Sequence, residues 1–188
     1  MSTLDFYDSD PEGYADRTST ADMSGSMDRF LRYLQEGARI LDLGSGSCRD
    51  TVTFRNMGFD AIPADASEGM RRVARERLGI DVIPAEFSSL DLRGFDAVWA
   101  NASLLHVPSE DLPDVLSRVR RALNDGGILF CSFKHGNFEG ERGGRHYTDM
   151  TPERLTALLE DCGFSPLDVW VSEGSGFTWT SAVSRVLP

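Results

Sequence analysis

A glycine-rich turn follows a short apolar segment in the first quarter of the chain. Residues 40–43 (ILDL) run directly into the turn GSGSC at residues 44–48. Glycines let the backbone approach a ligand closely, and a turn that opens a helix presents free N–H groups. A dinucleotide fingerprint would require glycine again at position 49, where this chain has Arg49, so the turn disfavours a pyrophosphate ligand.

Polar side chains stand at the ends of the next three predicted strands. Asp65 ends the second strand, where an acid can accept both hydroxyls of a ribose. Glu86 and Phe87 follow the third strand, and a carboxylate beside a backbone N–H can bind the edge of an adenine. Asn101 follows the fourth predicted strand. Taken singly, each also has a simpler interpretation as a capping, loop or turn residue, so the ordered set carries the prediction.

Residues 134–150 form a stretch without periodicity that contains four glycines and concentrates cationic and aromatic side chains. Long irregular stretches inside compact domains are usually binding elements or disordered. We interpret this one as a functional loop. It places local positive charge, including Lys134 and Arg145, on an acidic protein, which suggests an anionic or carboxylate-bearing ligand. The alternative is a solvated face.

The elements that must position these residues alternate between strand and helix. Buried strands are predicted at residues 40–43, 59–64, 80–85, 95–100 and 128–133, and a closing pair at 169–171 and 182–186. Amphipathic helices with caps or terminal glycines separate them, such as the helix that Ser67 caps and Gly79 closes. The expected fold is α/β, a doubly wound, mostly parallel seven-stranded Rossmann-like sheet with helices on both faces and an antiparallel C-terminal strand pair.

The polar first segment differs from the rest of the chain. Residues 1–28 are rich in Asp, Ser and Thr but include Phe6, Tyr7 and Tyr14, so we expect a flap over the site or a frayed tail. Residues 29–188 are expected to form one domain. Ligands of such sheets bind beyond the carboxyl ends of the central strands, where the candidate residues lie.

Composition excludes several classes of partner. The chain has 188 residues and a formal net charge of −11, which disfavours duplex nucleic acid and anionic membrane surfaces. Its three cysteines are far apart and lie in no metal-ligand pattern, so no metal site is expected. The acidic amino terminus does not resemble a secretory signal, and no apolar run is long enough to span a bilayer. We therefore expect a cytoplasmic location.

Five segments together resemble a known family. The runs ILDLGSGS, ADASEGM, AEF, FDAVWANASLLHV and RRALNDGGILFCSF are similar, in order, to the motifs of class I S-adenosylmethionine-dependent methyltransferases. The resemblance covers residues 29–163 and implies S-adenosyl-L-methionine as the cofactor. WANASLLHV and SFKHG resemble most closely the small bacterial methyltransferases of the tellurite-resistance type.

The resemblance also implies a cofactor site. Gly44 and Gly46 would pass beneath the methionine part, Asp65 would hold the ribose, and Arg17 would reach the carboxylate from the flap. The full set that the resemblance implies is Arg17, Asp42, Gly44, Gly46, Asp65, Ala66, Glu86, Phe87 and Asn101. Relatives commonly have a third glycine where this chain has Cys48, whose Cβ would narrow the turn or demand an ordinary φ.

Methyl transfer of this kind is an in-line displacement that positioning can accelerate without a metal. A base is needed only if the acceptor must lose a proton, and the candidates are His106, His146 and Tyr147. His106 could equally be a hydrogen-bonded core residue, and the other two could anchor the loop. The expected acceptor-binding residues are Tyr14, Lys134 and Arg145.

The predicted function is methyl transfer to a small-molecule acceptor with an O, N, S or metalloid nucleophile. No Asn-Pro-Pro-Tyr follows the fourth strand, which argues against methylation of exocyclic amines in DNA. The alternatives are a non-catalytic S-adenosylmethionine-binding module, suggested by Cys48, and a nicotinamide-dependent oxidoreductase, which Arg49 disfavours. The motifs specify neither the acceptor nor an oligomeric state, since enzymes that share them act on unrelated substrates.

Overall fold

Nine strands form the framework of the computed structural model, which describes residues 2–174 and 176–187. The strands are β1 (Arg39–Leu43), β2 (Asp60–Asp65), β3 (Ile83–Pro84), β4 (Phe95–Ala100), β5 (Leu123–Lys134), β6 (Glu139–Arg142), β7 (Arg145–Thr148), β8 (Phe164–Gly174) and β9 (Phe177–Val186). Seven of them make one sheet in the order β3-β2-β1-β4-β5-β9-β8. Strands β1 to β5 pair in parallel, and β9 runs antiparallel to both β5 and β8. The predicted fold is confirmed.

Helices surround this sheet in the described chain, and those from the third onward cover its two faces. They are α1 (Thr3–Ser9), α2 (Pro11–Thr18), α3 (Ser24–Leu31), α4 (Arg49–Asn56), α5 (Glu68–Leu78), α6 (Leu112–Ala122) and α7 (Pro152–Asp161). Successive strand residues point to opposite faces, so Ile40 packs with Phe30 and Phe54 of α3 and α4, while Leu41 packs in the cluster that contains α6 and α7. Along the described chain, no helix has the length and apolarity needed to cross a membrane.

The first segment is more ordered than its composition suggests. It forms α1 and α2, which we name the N-terminal helix pair. Ser2 and Asp5 make a reciprocal capping box at α1, and Asp10 caps α2 ahead of Pro11. These are local capping signals, and the expectation of a possible frayed tail overlooked them.

Several other predicted boundaries are wrong, and two of them affect the site. Strand β3 has only two residues, because the chain turns at Glu86 into a 3-10 helix at Phe87–Ser89. Within residues 134–150, strands β6 and β7 form an antiparallel hairpin joined by Gly143 and Gly144, both with positive φ (57° and 79°). A Gly-Gly pair between two short strands is a favoured hairpin turn, so the segment predicted as a loop is a β-hairpin.

Candidate active site

A cavity of about 630 Å³ lies at the carboxyl edge of the sheet, enclosed by the strand ends, the N-terminal helix pair and the hairpin. Its volume is typical of small-molecule sites. The sequence-predicted residues on its wall are Tyr14, Arg17, Asp42, Gly44, Gly46, Asp65, Ala66, Phe87, Asn101, His106, Lys134, Arg145 and Tyr147. Glu86 and His146 are not among the lining residues.

The glycine-rich turn packs against the loop that follows β4. The backbone N–H of Gly44 donates to the carbonyl of Ala64 at 2.8 Å, and the Ser103 hydroxyl donates to the carbonyl of Leu43 at 2.7 Å. Gly44 has φ +80°, and a Cβ at this position would lie 2.4 Å from the Cβ of Ser103. Only glycine fits there.

Cys48 takes the left-handed conformation that glycine would favour. Its φ is 66°, it precedes the first residue of α4, and its side chain is buried in a cluster with Ala74 and Val82. Of the two consequences expected for a cysteine here, a narrowed turn or an ordinary φ, the ordinary φ is wrong, since the residue takes the less favoured region. Burial raises the pKa of the Cys48 thiol to about 11, so the thiol stays protonated and is not a nucleophile at neutral pH.

Asp65 is held rigidly at the cavity wall. One carboxylate oxygen accepts from the N–H of Gly46 at 2.8 Å and the other from the N–H of Ser67 at 2.8 Å. Burial raises the pKa of Asp65, and the two backbone hydrogen bonds oppose the rise. Both oxygens thus have fixed positions on the wall, between the glycine-rich turn and the start of α5.

Asp42 lies deeper beneath the turn, 3% exposed. The Thr51 hydroxyl donates to its carboxyl group at 2.5 Å. Burial raises the pKa of Asp42 to about 8, and the nearby carboxylate of Asp50 adds to the rise. The folded protein therefore holds a proton on this group more tightly than the unfolded chain does.

Asp42 should make stability depend on pH. A carboxyl whose folded pKa is raised contributes stability below its unfolded pKa of about 4 and loses it as the pH rises through its folded pKa. Between roughly pH 5 and 8, each pH unit should cost up to about 1.4 kcal/mol from this group. Thermal unfolding of the wild type and of Asp42→Asn, which keeps an acceptor for Thr51, should show a steeper fall of Tm with pH in the wild type. Parallel curves would contradict a raised pKa.

Asp50 is a site residue that sequence reasoning missed. It accepts hydrogen bonds from the indole of Trp99 at 2.9 Å, the amide of Asn101 at 3.1 Å and the guanidinium of Arg49 at 2.7 Å. Asn101 also accepts from the Ser132 hydroxyl at 2.9 Å, so its amide has a fixed orientation. An acid directly after the turn, at the start of a helix, was the available signal.

Arg17 lies at the rim of the cavity. Its guanidinium is paired with Asp10 at 3.0 Å, and its side chain is 59% exposed. Arg49 makes a more buried contact than Arg17 does. Its guanidinium donates to the carbonyl of Thr18 at 2.8 Å and thereby joins α2 to the glycine-rich turn.

The prediction that Glu86 flanks a ligand is not supported by its position. Its side chain is exposed, and only its neighbours Ala85 and Phe87 line the cavity. Because β3 ends at Pro84, the chain has already left the sheet at Glu86 and turns into the 3-10 helix. The predicted strand runs to residue 85, directly before Glu86.

The position of His146 likewise does not support its predicted role as a base. Its ring nitrogen Nε2 lies 3.1 Å from the Thr148 hydroxyl and 4.0 Å from Glu139, away from the cavity wall. Side chains alternate along a strand, so Arg145 and Tyr147 share the cavity face of β7 and His146 takes the opposite face. Its contribution to the site is its backbone carbonyl.

That carbonyl fixes the tautomer of His106. Nδ1 of His106 lies 2.7 Å from the carbonyl oxygen of His146, which can only accept, so Nδ1 carries the proton. The other nitrogen, Nε2, lies 2.8 Å from the hydroxyl of Tyr7 and accepts from it. Burial lowers the pKa of His106 to about 4, and it is therefore neutral at physiological pH. Tyr7, from α1, was not among the predicted site residues.

Two cations share this end of the cavity. The Lys134 ammonium lies 3.4 Å from the ring centroid of Phe177 and 4.7 Å from that of Tyr147. The Arg145 guanidinium lies 4.3 Å from the centroid of Phe6 and 5.2 Å from that of Tyr147. Burial lowers the pKa of Lys134, and the neighbouring arginines lower it further. Phe177 was missed because only the β5–β9 register brings it to Lys134.

Comparison with known proteins identifies the family. A family profile described as "Methyltransferase domain" matches residues 40–127. The chain is 30% identical over 174 residues to the ubiquinone biosynthesis O-methyltransferase of Ruegeria sp. (strain TM1040), covering 79% of this chain and 70% of that protein. It is 27% identical to the carboxy-S-adenosyl-L-methionine synthase of Campylobacter concisus, covering 60% of this chain and 52% of that protein.

Solved structures show the same fold. The 1,6-didemethyltoxoflavin-N1-methyltransferase of Burkholderia thailandensis superposes with a TM-score of 0.78 at 21% identity, covering 98% of this chain and 85% of that one. The magnesium protoporphyrin IX methyltransferase of Synechocystis gives a TM-score of 0.75 at 16% identity, covering 97% of this chain and 94% of that one. Fold, site and relatives together define a class I methyltransferase. The chain belongs to the S-adenosylmethionine-dependent methyltransferase family, and S-adenosyl-L-methionine is its cofactor.

Proposed function

We propose that this enzyme methylates a small-molecule acceptor bound between the N-terminal helix pair and the hairpin. The observation that carries the proposal is a single cavity that runs from Asp65 to Lys134 and Arg145. Relatives support a small acceptor, since one is named for ubiquinone biosynthesis and another structure contains bound 1,6-didemethyltoxoflavin and S-adenosylhomocysteine.

The residues at the Asp65 end fit the cofactor. Gly44 and Gly46 line the cavity without side chains, so the methionine part would pass close to their backbone, and the two oxygens of Asp65 would accept ribose hydroxyls, with Ala66 beside them. Phe87 would pack against the adenine, and Asn101 with Asp50 would face the cationic part. When bound, S-adenosylmethionine supplies an electrophilic methyl group on a sulfonium.

Residues 1–28 act in this proposal as a flap over the catalytic domain of residues 29–188. Asp8 of α1 accepts from the Ser67 hydroxyl at 2.6 Å and from the N–H of Gly69 at 2.8 Å, which fastens the flap to the start of α5. On the other side, Thr3 accepts from the N–H of His146 at 3.1 Å. The flap therefore joins the cofactor end to the acceptor end, and in this proposal it would exclude water from both.

Tyr7 and His106 would accept the proton that the methyl acceptor loses. The Tyr7 hydroxyl donates to Nε2 of His106 and accepts a long hydrogen bond from Arg145, so its remaining lone pair would accept a proton from a bound acceptor while its own proton moves to Nε2. Tyr14 and Tyr147 complete the wall of this compartment. If the acceptor arrives already ionised, the same groups only orient it.

The finer assignments rest on the sequence. The closer likeness to tellurite-resistance-type methyltransferases rests on WANASLLHV and SFKHG. Because of this likeness, the proposed nucleophiles include a metalloid as well as O, N and S. A cytoplasmic location is proposed from the cysteine pattern. The net charge of −11 supports a partner other than duplex nucleic acid.

Two measurements test the function. Calorimetry should show binding of S-adenosylhomocysteine and none of NADH. Methyl-labelled S-adenosylmethionine should then transfer label to at least one member of a panel of phenols, amines, thiols and tellurite, and not to duplex DNA. Binding of NADH alone would overturn the proposal, and transfer to DNA alone would replace the small-molecule acceptor by a nucleic acid.

A further inference from the structure

The two cations of the acceptor compartment stand out from the other basic residues of the chain. Among 19 Lys and Arg residues, Lys134 is the only lysine, and it lies on the cavity wall. Arg145 lines the same compartment. A lysine is a compact point charge and an arginine a planar fork of donors, so the pair offers two different modes of anion binding within one cavity.

Neither cation is neutralised by the protein. Within residues 2–174 and 176–187, neither Lys134 nor Arg145 forms a salt bridge, although the chain carries 30 acids. The Nε of Arg145 is buried and has no hydrogen-bond partner among the described residues. Its Nη1 makes only a long contact of 3.4 Å with the Tyr7 hydroxyl. The Nε of the neighbouring Arg142 is likewise buried and unpartnered among the described residues, but its guanidinium pairs with the buried carboxylate of Asp149.

The surroundings of the two cations are mainly aromatic, and Asp149, the acid whose charge acts on Lys134, is already paired with Arg142. Phe6, Tyr147 and Phe177 present ring faces to them, and His106 beside them is neutral. Leaving partly desolvated cations unpaired is costly, and an aromatic face offsets only part of that cost. A bound anion would pair with the guanidinium of Arg145 and the ammonium of Lys134 together.

We propose that the methyl acceptor is a small organic carboxylate with an apolar, unsaturated body, whose carboxylate is bound between Arg145 and Lys134. A carboxylate matches the planar fork of arginine. The ring-lined wall formed with Tyr14 and Trp179 suits a flat apolar body better than a bare inorganic anion. This inference rests on the proposed function, since it identifies the chemistry of that same acceptor.

Calorimetry of benzoate with the protein saturated with S-adenosylhomocysteine tests this inference without turnover. Benzoate should bind at one site, and benzamide, which has the same shape without the charge, should bind at least roughly 10-fold more weakly. Arg145→Gln and Lys134→Gln should each weaken benzoate binding roughly 10-fold. Arg93→Gln, which removes the same charge from an exposed pair with Asp91, should leave it unchanged.

The possible results separate the two proposals. Absence of benzoate binding, equal binding of benzamide, or unaltered binding in both cavity variants would overturn the carboxylate site. Inorganic phosphate binding more tightly than benzoate would overturn it in favour of a phosphate-bearing ligand. S-adenosylhomocysteine affinity, measured first in every variant, reports on the proposed function independently, because a wild type that fails to bind it fails before any acceptor probe is added.

Discussion

Asp65→Ala is expected to weaken S-adenosylhomocysteine binding roughly 10²- to 10³-fold, because a carboxylate that accepts two hydroxyl hydrogen bonds is lost. The same change leaves the N–H groups of Gly46 and Ser67 without their acceptor, which loosens the turn and the start of α5. Asp65→Asn keeps one acceptor oxygen, so its affinity for S-adenosylhomocysteine should lie between those of the wild type and the alanine variant. Isothermal titration calorimetry measures all three.

Asp60→Ala is the matched control for this series. Asp60 begins the same strand that Asp65 ends, and its carboxylate pairs with Arg39 at the surface at 3.5 Å. The control should bind S-adenosylhomocysteine as the wild type does. If Asp65→Ala also binds normally, the ribose lies elsewhere.

Gly44→Ala is expected to have the largest effect on stability. The new Cβ would lie 2.4 Å from the Cβ of Ser103, at a φ of +80° that L-residues seldom adopt. Overpacking and backbone strain together should lower the free energy of unfolding by about 3 kcal/mol, or roughly 10 °C in Tm for a chain of this size. Thermal unfolding followed by circular dichroism measures it.

Gly58→Ala separates the steric effect from the backbone effect. Gly58 has a φ of +91°, but a Cβ there would meet nothing within 4 Å. It should cost only about 1 kcal/mol, because the backbone term alone remains. Equal destabilisation of the two variants would show that Ser103 moves aside for the new Cβ. In that case the close packing of the turn against Ser103 would not constrain the cofactor site.

The sheet and the Asp65 end of the site were predictable because their signals are local. The strand 40–43, the glycine-rich turn and the acid that ends β2 are each readable within a few residues, and parallel pairing then brings their carboxyl ends together. Asp50 shows the limit of this reasoning. Its partners Trp99 and Asn101 lie some fifty residues away, so its hydrogen bonds depend on the assembled sheet.

The acceptor end was harder to predict because register and alternation decide it. His146 was chosen by residue type, but strand alternation turns it outward and gives the cavity face to Arg145 and Tyr147. Phe177 reaches Lys134 only through the antiparallel pairing of β9 with β5. Lys134 and Arg145 were singled out because positive charge was concentrated on an acidic chain.

The position of α1 has a practical consequence for the experiments. Thr3 and Leu4 lie on the cavity wall, so an affinity tag or fluorophore attached ahead of α1 would sit at the mouth of the site. Strand β9 runs antiparallel to β5, so its last residues lie at the edge of the sheet opposite the cavity. There they pair with the beginning of β8 and with Ile128 of β5. Immobilisation and labelling should therefore use the end of the chain that follows β9, where an attachment leaves ligand access free.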